Sequence, residues 1–511
     1  MGKVSNNERI ALNTVFLAIR MLVVLLITLY TTRVLLASLG VVDYGVYSVV
    51  AGFVSMCSFI SASMAHGIQR FFNYESGRNG TEGGRKVFNA GIRIQVLLSL
   101  ILVIIIELIG IWYINYKMVI PSERLVAALW VFHAAVLSLT LSMLSVPFNA
   151  SIMAHEKMHY YAFLGILDAI LKLAIATIIK FYSNDKLILY AYLLAGISVI
   201  NLMLNSIYAR IKFEEIRFSR IVDRTLLKSI LFFSGWNAFG TFARTMRTQG
   251  VGMVLNLFFG PVVNAAQGVA GQVKGALNSL VANLNTAARP QIVQSYSRGE
   301  TARTIALMFS ISKLVLFLLF IVAYPILLEL PIILNIWLGD NIPNHTIMFV
   351  RLVVITMFVT DIHMVTSAVV HATGKMKTYQ LVCSALNVSI IPIVYVALKF
   401  GAEAEIAFWF GLLIEILVQI ASLLILRKLI TFSIRMYCKD IIWPFMKVVV
   451  LAAPLPLVPF LFMNQGITRF VVVTIIAVGI TCFVIYKWGL SVKERQLVLL
   501  FVNKIKKKKN G

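Results

Sequence analysis

Acidic residues are scarce. The chain of 511 residues carries 21 Asp and Glu against 46 Lys and Arg, a net charge of +25. Charged residues make up only 13% of it, while 60% are hydrophobic. A water-soluble fold of this length cannot bury so much apolar side chain, which excludes a soluble enzyme. No soluble basic domain exists to hold DNA, so nucleic acid is excluded as a partner; the positive charge follows the loops between apolar runs. Cysteine is nearly absent. Cys57, Cys383, Cys438 and Cys482 fall in or beside apolar runs with no CxxC spacing, which argues against a disulfide framework and a zinc site. The motifs HExxH, GxSxG and GxxxxGK[ST] do not occur, and the glycines of "SGRNGTEGG" (76–84) lack a preceding strand, so they read as a flexible cytoplasmic loop.

What the chain has is long apolar runs. Fourteen are readable, at 10–36, 43–69, 89–115, 122–148, 160–182, 187–209, 227–257, 261–287, 304–328, 346–371, 378–399, 404–426, 441–463 and 468–488. Each is about 20 residues or more, enough to cross a hydrocarbon core of ~30 Å. Continuous runs of that length in lipid are helices. The expected fold is an all-α polytopic membrane protein. The first run is no cleaved signal peptide: it is too long, carries Arg20 and lacks a small-residue cleavage site.

Loop charge sets the orientation. Arg70, Arg78, Arg85 and Lys86 share one side with Arg210, Lys212, Arg217, Arg220 and Arg224, and with Arg427, Lys428, Arg435 and Lys439. The opposite loops hold only Lys117, Arg124, Lys186, Lys399 and Arg469. The positive-inside rule puts the first set and both termini in the cytoplasm, with the tail "KIKKKK" beside anionic lipid.

The chain also repeats itself. "AHEKMHYY" (154–161) matches "ATGKMKTY" (372–379), and Gly40, Arg78 and Thr81 are echoed by Gly260, Arg298 and Thr301. Two matches in register imply two six-helix lobes of like topology, related by a pseudo-two-fold axis along the membrane normal. The expected organisation is a first lobe at 1–209, a linker at 210–226, a second lobe at 227–427, two additional helices within 428–488 and a basic tail at 489–511.

Charge inside the spans points to function. Arg20 stands near the middle of span 1, where a guanidinium costs roughly 2.5–3.5 kcal/mol and faces a bundle interior or a wet cavity. Span 7 carries Arg244 and Arg247. Asn13 precedes Arg20 by seven residues and Asn237 precedes Arg244 by seven, so each Asn shares a face with its Arg. Span 8 adds the stripe Gln267, Gly271, Lys274, Asn278 and Asn285. With spans 1 and 7 bordering a central cleft, Arg20, Arg244, Arg247 and Lys274 make it cationic. For Arg244 and Arg247, structural bridging to acids on neighbouring helices stays open. Arg33, Lys313 and Arg351 sit near span ends and are expected to snorkel. Asp168 and Lys172, four apart, are expected to pair. Glu107, Asp361 and Glu415 are candidates for coupling to H+ or Na+, with His363 as a relay partner of Asp361; the competing reading makes them buried partners of arginines and His363 a packing residue.

"LASLGVVDYGVYSVVAGF" (35–53), "VPFNASIMAHEKMHYYA" after span 4 and "HATGKMKTY" after span 10 resemble the multidrug/oligosaccharidyl-lipid/polysaccharide (MOP) exporter superfamily, specifically its Wzx-type oligosaccharide flippases. The resemblance covers nearly the whole chain. It implies a cytoplasmic (inner) membrane transporter with no cofactor. Its cargo would be a polyprenyl-pyrophosphate-linked oligosaccharide, a repeat unit of O-antigen and lipopolysaccharide, capsule or exopolysaccharide. Other polysaccharide assembly proteins would be its partners. It also implies that Arg20 falls where related flippases of the peptidoglycan precursor use arginine, and that 441–488 forms a groove for the lipid tail. Two other classes are weighed. A MATE-like cation-coupled drug antiporter resembles its relatives in having an acid within span 1, where this chain has Arg20. A membrane glycosyltransferase or polymerase builds its site on a long outer loop, and every outer loop here is short.

Overall fold

The computed structural model describes residues 6–219, 223–491 and 494–496. The tail cations 504–509 lie outside the described residues, as do the side chains of Asn13 and Asn237. Every regular element among the described residues is helical. Eleven helices are long and apolar enough to cross a bilayer, so the protein is a multi-pass membrane protein.

Two of these helices contain more than one crossing. Helix α1 (Asn6–Ser55) is broken at Gly40, with φ 79° and ψ 170°. Helix α2 (Ser58–Tyr116) is broken at Gly80, with φ 58° and ψ −143°. A single 59-residue helix would reach roughly 88 Å at 1.5 Å per residue, almost three times the hydrocarbon thickness. The left-handed glycines reverse the chain within one residue, a conformation costly for any residue with a Cβ. The expected loop at 76–84 is therefore corrected: helix runs up to Gly80 and resumes after it. Gly83 makes the reversal tight, since a Cβ there would meet the carbonyl oxygen of Glu75 at 2.3 Å.

The next elements are α3 (Leu125–Ala154), α4 (Met158–Lys180), α5 (Lys186–Lys212), α6 (Arg224–Thr245), α7 (Val251–Phe259) and α8 (Pro261–Ser297). Then come α9 (Thr301–Leu328), α10 (Leu330–Leu338), α11 (Thr346–Ala372), α12 (Lys377–Lys399) and α13 (Ile406–Leu429). The remainder is α14 (Ile434–Tyr437), α15 (Trp443–Ala452), α16 (Pro454–Phe462) and α17 (Ile467–Val484). A π turn at Met246–Gly250 joins α6 to α7, and another at Cys438–Ile442 joins α14 to α15. Helices α6 and α8 are too polar to count among the eleven.

The sequence echoes recur in the backbone. Gly40 and Gly260 share one left-handed conformation (φ 79° and 73°). Glu156 and Gly374, equivalent within "AHEKM" and "ATGKM", both have positive φ (55° and 71°). These pairs are 220 and 218 residues apart.

The chain forms two compact units. The first comprises Met1–Ala270, Trp337–Thr346 and Asn387–Phe410; the second comprises Gly271–Ile336, Ile347–Leu386 and Gly411–Gly511. In the first unit, one core gathers Val50, Ile114, Val131 and Phe132, and another gathers Phe72, Phe88, Phe148 and Ile230. In the second, Phe317, Phe320, Val448 and Ala477 pack together. Burying such side chains stabilises by about 1.5–3 kcal/mol each in a soluble fold. In lipid the gain comes from close packing instead, which is why small residues stand at contacts. Gly45 is one: a Cβ there would lie 1.9 Å from the carbonyl oxygen of Pro261.

Candidate functional site

Arg20 has an unusual seat. Its guanidinium carbon lies 4.5 Å from the centroid of the Tyr161 ring, on α4 of the same unit. One turn further along α4, Gly165 leaves room for the rest of the side chain; a Cβ there would be 2.2 Å from Arg20 Nε and 2.9 Å from Cζ. Arg20 Nε is buried and has no hydrogen-bond partner. No carboxylate among the described residues neutralises Arg20. The ring face attracts the cation by about 0.5–2 kcal/mol without consuming its N–H donors. The arrangement therefore fixes a permanent charge and keeps its hydrogen-bonding capacity open.

Arg244 and Arg247 are three apart at the end of α6 and in the π turn that follows. Arg244 is exposed. Arg247 is partly buried, and its Nη1 donates to Asn387 Oδ1 at 3.2 Å. Nearby, Gln267 Nε2 donates to the carbonyl of Thr248 at 3.3 Å. The first unit thus holds Arg20, Arg244, Arg247 and Gln267. Lys274 and the exposed Asn278 belong to the second unit.

The acids part ways. Glu107 meets His133 Nδ1 at 3.0 Å in the first unit, so its partner is a histidine and not an arginine. Asp168 pairs with Lys172 at 2.7 Å, as expected from their spacing, and also accepts from Asn201 Nδ2 at 3.0 Å. Asp361, in the second unit, is 2% exposed, and its Oδ2 is buried without a hydrogen-bond partner. The charge of Lys274 acts on it from α8. Glu415 is 3% exposed in the same unit. An unpartnered buried carboxylate oxygen is expensive, and a proton or a bound cation removes the penalty.

His363 is two residues from Asp361, about 200° round the helix, so the two side chains leave α11 on different faces. The buried imidazole meets Tyr379 Oη at 3.2 Å through Nε2 and Ser422 Oγ at 3.3 Å through Nδ1. Gln419, one turn before Ser422, donates to Thr366 Oγ1 at 3.2 Å and Tyr437 Oη at 3.0 Å. These contacts make His363 part of a packed polar network. Tyr379 is the repeat equivalent of Tyr161, so the same position holds Arg20 in one unit and His363 in the other.

Lys313 overturns one expectation. It does not snorkel: it is 8% exposed, and its Nζ lies 2.6 Å from Glu494, beyond the last span. A partner far away in sequence supplied the charge that local spacing could not reveal. Arg469 likewise reaches the fully buried Glu329, with Nη2 at 3.0 Å from Oε2.

Two further ionic clusters escaped the sequence pattern. Arg124 grips Asp43 (2.7 Å) and Asp185 (2.8 Å). Asp185 also caps α5 by accepting from the N–H groups of Leu187 and Ile188. Burial pushes the Asp185 carboxyl up, but the Arg124 hydrogen bond and the capped N–H groups outweigh it and hold the value below the usual one. At the other end of the unit, His155 Nε2 lies 3.1 Å from buried Glu215, and its Nδ1 lies 2.9 Å from the Ser151 carbonyl. Asn89 fastens the same segment by donating to the Arg217 carbonyl and accepting from Ser219 N–H, at 2.9 and 2.7 Å. The equal spacing of the apolar runs gave no hint of these pairs; only the short loops that bring them together could.

No family model and no curated protein matches the sequence. Solved structures do match in fold. The lipid II flippase MurJ, in an inward closed conformation, aligns over 96% of this chain and 100% of its own, with TM-score 0.70 and 12% identity. An inward-facing multidrug-resistance MATE family transporter of the MOP superfamily aligns over 80% and 96%, with TM-score 0.63 and 14% identity. A MOP superfamily transporter from Pyrococcus furiosus, described by the reverse polarity of its binding pocket, aligns over 81% and 94%, with TM-score 0.58 and 15% identity. The chain has the fold shared by the MOP superfamily transporters.

Proposed function

We propose that the protein is a flippase that moves a polyprenyl-pyrophosphate-linked oligosaccharide from the cytoplasmic to the outer leaflet by alternating access. The observation that carries this reading is Arg20: a permanent cation within span 1, seated on Tyr161, with a buried Nε that has no partner. A pyrophosphate crossing a low-dielectric path needs fixed positive partners, and guanidinium binds phosphate in bidentate fashion. Arg244, Arg247 and Lys274 extend the same chemistry. Asn13, Asn237, Gln267 and Asn278 suit sugar hydroxyls. The lipid tail stays in the bilayer while the head group passes, and no covalent step is needed.

A MATE-like cation-coupled antiporter is the second reading. The likeness in fold and the buried, unpartnered Oδ2 of Asp361 favour it. The two readings assign Arg20 opposite roles, because a fixed guanidinium attracts a pyrophosphate and repels a cationic drug. Arg20→Ala is expected to abolish surface glycan display at normal expression, with Arg20→Lys retaining part of it. Wild-type display from Arg20→Ala, or energy-dependent drug efflux by the wild type with no glycan phenotype, would overturn the flippase reading.

A further inference from the structure

The second unit contains a cavity of about 790 Å³ that none of the transport roles above uses. It lies between the start of α9 and the turn that joins α13 to α14. Its apolar wall includes Ile305, Phe309, Phe432 and Met436, and its polar rim includes Arg427 and Arg435. No Asp or Glu lines it. Both arginines are exposed, and neither pairs with a carboxylate among the described residues. The neighbouring cations that do find local partners show the contrast: Arg303 reaches Glu300 at 3.0 Å, and Lys313 reaches Glu494. The apolar wall is firm, because Phe309 packs edge-on against Tyr437 at 5.8 Å and Phe432 is buried.

Loop charge assigns this end of the unit to the cytoplasm. On α15, beyond the π turn that follows α14, Lys447 lies 5.3 Å from the ring of Trp443, which is 59% exposed. An exposed tryptophan beside a lysine is characteristic of the headgroup level of a bilayer. The cavity thus joins two unpaired guanidinium groups to an apolar wall next to the inner leaflet.

We infer that this cavity is a binding site for an anionic phospholipid of the inner leaflet, its phosphate held by Arg427 and Arg435 and the first part of an acyl chain lying on Phe309, Phe432 and Met436. Guanidinium forks match phosphate oxygens, and the inner leaflet supplies such lipids at high local concentration. The inference is independent of the cargo: it would hold for a flippase and for an antiporter.

The test is a thermal-shift titration of the full-length protein in detergent, with phosphatidylglycerol, phosphatidylcholine, glycerol phosphate and polyprenyl monophosphate as separate additives. Phosphatidylglycerol should stabilise the wild type. The R427Q/R435Q variant should need roughly 25-fold more of it, about fivefold for each arginine removed, and R427K/R435K should stay close to wild type. Phosphatidylcholine and glycerol phosphate should do little, lacking the net charge and the tail respectively. Because both arginines are exposed, the glutamine variant should fold; a photo-cross-linker at Met436, read by lipid mass, provides a second measurement in the wild-type background. Three results would each overturn the assignment: an unchanged phosphatidylglycerol response in R427Q/R435Q, an equal response to phosphatidylcholine, or polyprenyl monophosphate displacing phosphatidylglycerol at lower concentration, which would make the cavity a cargo site.

Discussion

Gly165→Ala offers a way to move the Arg20 charge without removing it. The added Cβ would stand 2.2 Å from Arg20 Nε, 2.9 Å from Cζ and 3.0 Å from Nη2. Ordinary contact needs over an ångström more than the shortest of these, so the guanidinium must leave its place over Tyr161. The helix itself gains, because alanine is favoured over glycine in a helix interior by about 1 kcal/mol. Loss of function would therefore not reflect loss of fold. If Arg20 makes a charge-assisted hydrogen bond to the cargo's pyrophosphate, worth about 1.5–3 kcal/mol, misplacing it should weaken binding by roughly 10- to 150-fold. Tyr161→Phe keeps the ring face and should bind nearly as the wild type does. Tyr161→Leu loses the cation–π attraction of about 0.5–2 kcal/mol and should fall between wild type and Gly165→Ala. The assay is equilibrium binding of a polyprenyl-pyrophosphate-linked glycan to purified protein, alongside surface display in cells at matched expression. Wild-type affinity from Gly165→Ala would refute the reasoning, since no arrangement with Arg20 in its present seat can accommodate the methyl group.

Three other outcomes are expected. Both ring nitrogens of His155 face acceptors, so the ring must donate twice and be an imidazolium. The Glu215 hydrogen bond raises the His155 pKa from its usual 6.5; burial and Lys157 oppose the rise and the Ser151 carbonyl supports it. Burial pushes Glu215 up, but the His155 hydrogen bond outweighs it and leaves the carboxyl below its usual 4.5. The histidine's contribution is complete below 6.5 and fades as pH rises through its raised value, whereas the glutamate's is complete above 4.5 and fades as pH falls through its lowered value. The linker at 213–219 should thus resist proteolysis best between those values and loosen above neutral pH, with the pH effect lost in His155→Gln; equal cleavage at pH 6 and 8.5 in the wild type would rule the latch out. Asp361→Asn should weaken the response of transport to an imposed pH or sodium gradient in proteoliposomes. A full response in the amide variants of Asp361, Glu415 and Glu107 would mean that none of these three carboxylates couples the cycle. In a background with Cys57, Cys383, Cys438 and Cys482 replaced by serine, cysteine at exposed Asn344 should label from outside the cell and cysteine at Glu82 should not, and the reverse result would invert the orientation.

Helix content and the many crossings were legible because bilayer crossing imposes length and hydropathy residue by residue, with little need for tertiary context. The left-handed turns were half legible. Gly40 and Gly260 stood out as an echo, but nothing in "EKM" marks Glu156 as left-handed until it is set beside Gly374. The candidate cations were visible as charges in oil, yet their surroundings were not. Tyr161 appeared only as a repeated letter, and its role depends on α4 packing against α1. Lys313 was misread because its partner, Glu494, is 181 residues away. Local spacing finds pairs such as Asp168–Lys172; it cannot find Arg124 with Asp43 and Asp185, which stand on three segments far apart in sequence.

The repeated tyrosine bears on how such a carrier could complete a cycle. Tyr161 faces Arg20, whose charge is permanent, while Tyr379 faces His363, whose charge is not. Two units with the same local motif therefore differ in whether their central group can titrate. An outward-moving pyrophosphate with roughly two negative charges is driven by an inside-negative potential, at about 2.3 kcal/mol per charge per 100 mV. Guanidinium groups that neutralise it also cancel most of that drive, and they leave the empty carrier to return with uncompensated positive charge. A carrier whose charged groups were all permanent would face that cost on every turnover. A buried acid such as Asp361, were it to exchange a proton or take up a cation, would supply the adjustable charge that the fixed arginines lack. Both units carry both kinds of group, since Lys274 stands with Asp361 and Glu415 in the second and Glu107 with Arg20, Arg244 and Arg247 in the first, so a flippase of this kind would have an adjustable charge available in each unit.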